Sequence, residues 1–378
     1  MANASLNANL ASAKKTKNDE FYTQWADIER EMNAYLEYDP DVFRGKVILL
    51  PCDDPEWSNF TKFFALHFVD YGIKKLISTS YAPNSNHGGA YYTPTLFETA
   101  DPRFDEARAR ENGRLFTLEP EDKQVNIDNL HWQYLEGDGD FRSDELTRLR
   151  DEADIIITNP PFSLFREFIA WIMEGDKKKF AIIGSGNAVT YKEIFPLIMN
   201  NRLWRGRGFA KGDAYFRIPE SARSDYAPGV YDETTQLVHF RNCGWYTNIE
   251  HGRRHEPLQL MTMADNIKYS KHKEIRGTGY PQYDNYDAIE IPFTDAIPGD
   301  YDGVMGVPIS FLEKYNPDQF EIVGITDRGN EYGVKTKEYD PCDVPNAGDL
   351  NRRAAIRLPD GSYRGTYARL LIRWKKPQ

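Results

Sequence analysis

The sequence predicts an α/β fold, a doubly wound and mostly parallel sheet with an antiparallel hairpin at one edge, followed by a smaller second region. Three observations carry this expectation. Short apolar runs alternate with segments of helical spacing from about residue 27 to residue 202, the pattern of strands joined by crossover helices. "QLVHFR" (236–241) and "WYTNIE" (245–250) flank a short turn and read as the hairpin. Beyond residue 251 the chain becomes richer in Tyr, Pro and Gly and ends in a basic run.

The elements follow in order. Residues 1–18 are polar and rich in Ala, Asn and Lys, and are expected to form a mobile arm. "DIEREMNAYLEY" (27–38) has helical spacing, and "KVILLP" (46–51) is a compact apolar run suited to a buried strand. "SNFTKFFALHFVDYG" (58–72) reads as a helix stopping at Gly72, and "KKLISTSY" (74–81) as the next strand. Residues 82–135 show less regularity. A strand "DIIIT" (154–158), a helix "LFREFIAWIMEG" (164–175) and a strand "KFAIIGS" (179–185) come next. "YKEIFPLIMNNR" (191–202) reads as a helix interrupted near Pro196. The expected domains are the arm 1–18, a catalytic α/β domain 19–250, and a second, substrate-facing region 251–378.

Composition bounds the function. The chain has 378 residues, 40% hydrophobic and 28% charged, and no apolar run of the roughly 18–20 residues that cross a bilayer. The first twenty residues lack the apolar core of a signal peptide. Cys52, Cys243 and Cys342 form neither a disulfide framework nor a zinc spacing, so a reducing cytoplasm is expected. The net charge of −11 argues against a non-specific nucleic-acid coat. The charge is uneven, however: residues 351–378 carry eight Lys/Arg against Asp360 alone, and 202–217 carry five against Asp213. Such stretches are either solvated faces or surfaces that grip nucleic acid.

The stretch that points to chemistry is "DIIITNPPFSLF" (154–165). In an open α/β sheet, ligands bind outside the carboxyl ends of the strands, and Asn159-Pro160-Pro161-Phe162 stands at such an end. The Asn159 amide oxygen and the Pro160 carbonyl are acceptors held by a stiff diproline. Together they suit one amino group with two N–H donors, such as the exocyclic amine of adenine. Aligned acceptors localise the lone pair of that poor nucleophile, and positioning supplies much of the rate. Phe162 is placed to stack on the base, which must be flipped out of a duplex to arrive there. The plain alternative is a tight strand-to-helix turn with a packed Phe.

Six stretches in order, "KNDEFYTQ" (17–24), "CDDPEWSNF" (52–60), "GDGDFRSDE" (137–145), "NPPFSLFREF" (159–168), "GWYTN" (244–248) and "GVPISFLEKYNPDQFEIVGI" (306–325), resemble the EcoRI-type adenine-specific DNA methyltransferases. The resemblance implies a Rossmann-like, seven-stranded methyltransferase sheet, S-adenosylmethionine as cofactor, and methyl transfer to adenine N6 of double-stranded DNA without a metal. Asn159 and Pro160 would orient the amine, Pro161 hold the turn and Phe162 stack. Phe21, Tyr22 and Thr23 would close over the methionine part of the cofactor. Asp53, Asp54, Ser58 and Asn59 would hold its amino acid moiety. Asp140 and Phe141, with Asp138 competing, would contact its adenine. The superfamily's Gly-rich loop is missing, with no Gly between Lys46 and Tyr71, and no ribose-binding acid is evident in "LISTSYAPN".

Other readings compete on particular residues. Cys52 follows a Pro as a cytosine-C5 nucleophile would, but it lies in the cofactor loop. "HGRRH" (251–255) is a poor metal helix and reads as a basic loop near the substrate. "SNHGGAYYTP" (85–94) either covers the sheet or approaches DNA. Trp245 and Tyr246 either pack in the core or line the flipped-base pocket. The expected protein is a monomeric adenine methyltransferase, orphan, phage-borne or paired genetically with a restriction endonuclease. RNA adenine, cytosine N4 and a glutamine side chain are alternative acceptors, and a catalytically inactive nucleic-acid-binding homologue is the alternative outside enzymes.

Overall fold

The computed structural model describes residues 22–55, 58–82, 99, 102, 104–120, 132–209, 213–218, 230–327, 331–333, 335–342 and 344–375. Phe21, the arm 1–18 and the loop 85–94 lie outside them. Two compact units emerge: the first runs through Gly186 and takes up Arg205–His251, and the second consists of Asn187–Trp204 and Gly252–Gln378. The segment 187–204, expected in the catalytic domain, thus belongs with the C-terminal unit.

The first unit begins with β1 (Tyr22–Thr23) and helix α1 (Trp25–Tyr38). β2 (Val47–Leu50), helix α2 (Asn59–Leu66) and β3 (Lys75–Thr79) follow. Helix α3 (Glu106–Glu111), β4 (Arg114–Leu118), β5 (Trp132–Tyr134) and helix α4 (Asp144–Glu152) come next. β6 (Ile155–Thr158), helix α5 (Phe165–Glu174) and β7 (Lys179–Ser185) complete the alternation. Helix α6 (Phe195–Met199) is only five residues long and carries its Pro in the first turn. Pro196 therefore starts this helix rather than interrupting it, because the first turn needs no N–H from that position.

β8 (Trp204–Arg205), β9 (Asp213–Arg217), β10 (Tyr231–Asp232), β11 (Leu237–Arg241) and β12 (Cys243–Thr247) are the remaining strands up to residue 251. The main sheet has eight strands in the order β5-β4-β3-β2-β6-β7-β12-β8. β3, β2, β6 and β7 pair parallel to their neighbours in this run, whereas β4 pairs antiparallel with β3, β5 antiparallel with β4, and β12 antiparallel with β7. The expected seven-stranded, mostly parallel sheet is thus replaced by a mixed one. Two of its antiparallel pairings, β3–β4 and β4–β5, involve strands from the less regular stretch of sequence.

The expected hairpin is absent. β11 pairs with β9 and β10 in a separate four-stranded sheet that also holds β1, while β12 pairs with β7 in the main sheet. Asn242, the single residue between them, has a φ of 64°. This left-handed residue turns the chain sharply from one sheet into the other, where a two-stranded hairpin would need the strands to face each other.

Alternation across the strands builds the core. Ile48, Leu50, Ile155, Ile157, Ala181 and Ile183 face one side, with Met32 and Tyr35 of α1 and Phe60, Phe63 and Phe64 of α2. On the other side a Cβ on Gly184 would meet the Phe165 ring at 2.3 Å, so glycine lets α5 lie directly on β7. Helices thus cover both faces, and the sheet is doubly wound.

In the second unit, helix α7 (Met263–Tyr269), β13 (Ile289–Glu290), β14 (Met305–Pro308), β15 (Phe320–Ile325), helix α8 (Ala347–Leu350), β16 (Ala355–Arg357), β17 (Tyr363–Gly365) and β18 (Arg369–Trp374) follow in order. They form a four-stranded sheet β13-β14-β18-β15 and a separate two-stranded ribbon β16-β17. Among the described residues no helix is long and apolar enough to cross a membrane.

Candidate active site

Strand β2 has β3 on one side and β6 on the other, each parallel to it. Successive crossovers therefore leave in opposite directions, and a crevice opens outside the carboxyl ends of β2 and β6. The loops leaving these two ends are Pro51-Cys52-Asp53-Asp54 and Asn159-Pro160-Pro161-Phe162.

One side chain ties the two loops together. Asp53 is buried, and its Oδ2 accepts from the Thr158 hydroxyl at 2.6 Å while its Oδ1 accepts from the Ser58 hydroxyl at 2.7 Å. Its own N–H donates to the Thr79 carbonyl at 2.8 Å. Burial is the main force on this carboxyl and pushes it up to about 7; the two hydroxyl donors pull it back in part, and neighbouring Asp54 adds to the rise. Asp54 faces Arg114 Nη1 at 3.7 Å. Ser58 also caps α2, its Oγ accepting from the Phe60 N–H at 3.0 Å.

Thr23 arrives from β1. Asn59 Nδ2 donates to its carbonyl at 2.8 Å. Its hydroxyl is buried with no hydrogen-bond partner among the described residues, an acceptor or donor left over for a polar ligand. In register Thr23 faces Phe216 of β9 and Tyr22 faces Arg217, so Thr23 lies on the buried face of the small sheet. Phe162 packs edge-on against Phe216 at 6.3 Å and Phe240 at 6.1 Å between ring centroids. The segments around Thr23 and Phe162 thus meet the same aromatic surface.

Within the tetrapeptide, the Pro161 carbonyl accepts from the Leu164 N–H at 3.0 Å and opens a short 3-10 turn over Phe162–Leu164. The Pro160 carbonyl takes no backbone hydrogen bond among the described residues. Asn159 is half-buried with its Oδ1 shielded from solvent.

The remaining candidates sit differently. Burial alone would raise the Asp140 carboxyl, but hydrogen bonds and charge from Arg142 outweigh it and hold it below the usual range. Arg142 Nη2 approaches Asp140 Oδ2 at 2.6 Å, so this carboxylate is already clamped. The Phe141 ring is buried against Phe168 and Trp171 at 5.0 and 5.6 Å. Asp138 is half-buried, its Oδ1 accepting from the Asp140 N–H at 3.0 Å. Gly139 between them has a φ of 83°, and a Cβ there would meet the Ser80 carbonyl oxygen at 2.2 Å. The "GDGDF" loop is therefore pressed onto the end of β3.

Trp245 and Tyr246 are core residues, 1% and 0% exposed. Burial, followed by the Asp53 charge, pushes the Cys52 thiol up, away from the thiolate a covalent mechanism needs. In "HGRRH", His251 Nε2 lies 2.9 Å from the Arg205 carbonyl, His255 Nδ1 lies 3.4 Å from Asp318, and Arg254 is buried over the Trp204 ring at 3.8 Å. His251, Arg254 and His255 are thus held by different partners.

Two contributors carry little signal along the chain. Thr158 reads as the polar end of an apolar strand, yet it makes the bond to Asp53. Glu31, on the buried face of α1, accepts from Tyr35, and from the Arg207 and Gly208 N–H groups at 3.0 Å each. It fixes the loop after β8; a carboxylate at a core position of an amphipathic helix is the signal that could have found it.

Known proteins share this sequence over most of its length. A family model described as "Adenine-specific methyltransferase EcoRI" matches residues 9–375. The Type II methyltransferase M.EcoRI of Escherichia coli is 40% identical over 325 residues, covering 85% of this chain and 90% of that protein. M.MpnI of Mycoplasma pneumoniae, also a Type II methyltransferase, is 32% identical over 317 residues, covering 82% of this chain and 83% of that protein. No solved structure matches the chain.

Proposed function

Because this chain belongs to the EcoRI family of adenine-specific methyltransferases, we propose that it methylates the 6-amino group of an adenine at a specific site in duplex DNA. The observation that carries this reading is the Asp53–Thr158 bond, which holds the loop after β2 against the strand end that presents Asn159-Pro160-Pro161-Phe162.

The methyl donor is S-adenosylmethionine, which supplies an activated methyl group on a cationic sulfur. The unsatisfied Thr23 hydroxyl and the carboxylates after β2 fit a ligand with an amino acid end. Thr23 and Asn59 hold the closing segment, Asp53 or Asp54 faces the ammonium, and the start of α2 at Ser58 favours a carboxylate. For the ligand's adenine, the clamp on Asp140 and the packing of Phe141 shift the contact toward Asp138.

The target adenine enters flipped from the duplex. Asn159 Oδ1 and the Pro160 carbonyl accept its two amine hydrogens, and Pro161 holds the turn through Leu164. Phe162, seated on Phe216 and Phe240, presents its remaining surface to the base. The protein acts as a monomer, and its biological setting is a restriction–modification system with a cognate endonuclease as genetic partner.

Transfer of labelled methyl groups to a library of DNA duplexes, followed by base analysis, tests this. N6-methyladenine is expected. Product at cytosine N4, or on RNA alone, would overturn it.

A further inference from the structure

The basic C-terminal run is not one surface. Three of its arginines are consumed by the second unit itself. Arg369 is held by buried Glu290 at 2.7 Å, Arg373 by Glu321 at 2.8 Å and Arg353 by Asp349 at 2.8 Å. Three others differ. The side chains of Arg352, Arg357 and Arg364 are exposed and make no hydrogen bond or ion pair among the described residues.

These three belong to one small element. Arg352 immediately precedes the ribbon β16–β17, Arg357 ends β16 and Arg364 is central in β17. The ribbon joins no larger sheet. Its register sets Arg357 opposite Tyr363 and Arg364 opposite Ile356, so the two arginines leave from opposite faces. Gly361, with a φ of 86°, closes the turn between the strands. Tyr367, just beyond, is 71% exposed.

Nearby acids are committed elsewhere. Asp349 pairs with Arg353, and Glu338 faces Lys335 at 3.5 Å. Asp284 binds Lys337 at 2.8 Å and feels the charge of Arg357 only from beyond contact. Asp360, at the tip, accepts from Ser362 within its own turn. Among the described residues the ribbon therefore presents three cations without an ion-pair partner and one exposed aromatic ring, on a protein whose net charge is −11. Arginines on both faces of a two-stranded ribbon suit two rails of phosphate flanking a groove, which a ribbon is narrow enough to enter.

We propose that the β16–β17 ribbon, through Arg352, Arg357 and Arg364, is the surface by which the second unit grips the sugar–phosphate backbone of duplex DNA. This rests on the reading of the protein as a DNA methyltransferase.

The test uses the full chain and a fluorescently labelled mixed-sequence duplex, with affinity measured by anisotropy from about 50 to about 300 mM salt. The triple variant Arg352→Ala/Arg357→Ala/Arg364→Ala is expected to flatten the log–log salt slope by about 2–3, since each phosphate no longer neutralised removes about 0.9. Binding should weaken at least tenfold at about 100 mM salt. S-adenosylmethionine binding by calorimetry and the thermal midpoint stay at wild-type values. The control Arg353→Ala/Arg373→Ala, which removes paired arginines, keeps the wild-type slope. A triple variant that is folded and keeps the wild-type slope overturns the proposal and leaves the DNA reading intact. A shift in oligomeric state with that slope unchanged reassigns the ribbon to a second copy and overturns it equally. A wild-type protein that binds no duplex sinks both readings.

Discussion

Replacing Asp53 with Asn tests the centre of the site through stability alone. The carboxyl is buried between Ser58 and Thr158, and burial raises it from 3.8 to about 7. The folded state therefore holds this proton more tightly than the unfolded chain. Its contribution to stability is fully present below about pH 4 and is lost as pH rises through 7. The displacement corresponds to about 4 kcal/mol in total. Roughly 2–3 kcal/mol of it is lost between pH 5 and pH 8. The Asp53→Asn amide has the same shape and no titration, so the variant lacks this slope. Like the protonated carboxyl, that amide has one accepting oxygen and one donating group, so it matches the neutral form that wild type holds at low pH. Urea unfolding of both proteins at pH 5, 6, 7 and 8 reads the difference directly. Wild type minus variant should fall by roughly 2–3 kcal/mol across that range. A difference that stays flat, or rises with pH, would refute the burial argument.

Three further outcomes follow from the same geometry. If a cofactor ammonium rests on Asp53, binding pulls its carboxyl down. Calorimetry at pH 6.5–7 in buffers of different ionisation enthalpy should then show a proton released by wild type and none by Asp53→Asn; equal heats in both buffers count against the contact. Asn159→Ala should lower kcat at least about a hundredfold with cofactor affinity largely kept, and normal turnover would refute its role. Gly139→Ala places a side chain at positive φ and 2.2 Å from a backbone oxygen. It should cost at least about 2 kcal/mol and weaken cofactor binding, measured by thermal unfolding and titration; an unperturbed variant would show that the loop is not pressed onto Ser80.

The sequence by itself determined the local decisions. "KVILLP", "DIIIT" and "KFAIIGS" have continuous apolar centres, the composition of strands buried on both faces. Asn-Pro-Pro-Phe fixes its own turn because two prolines set φ and remove donors. That the tetrapeptide ends a parallel strand was legible from order and spacing. Pairing was not. Leu237–Arg241 and Cys243–Thr247 look like hairpin partners, and only long-range register with β9 and β7 sends them to different sheets through Asn242. Strand β5 has three residues, too few for a periodic signal, and β4 and β5 take their place from the antiparallel ladder that starts at β3. The roles of charges were equally hidden. Asp53 and Thr158 lie 105 positions apart, and no local pattern reveals that one accepts from the other. Arg369 and Arg364 are indistinguishable in a basic run, yet one meets Glu290 in the interior and the other meets water. Propensity and patterning act over a few residues and can be read along the chain. Burial, ion pairing and the meeting of two loops depend on what the rest of the chain brings alongside, and these the tertiary structure alone decided.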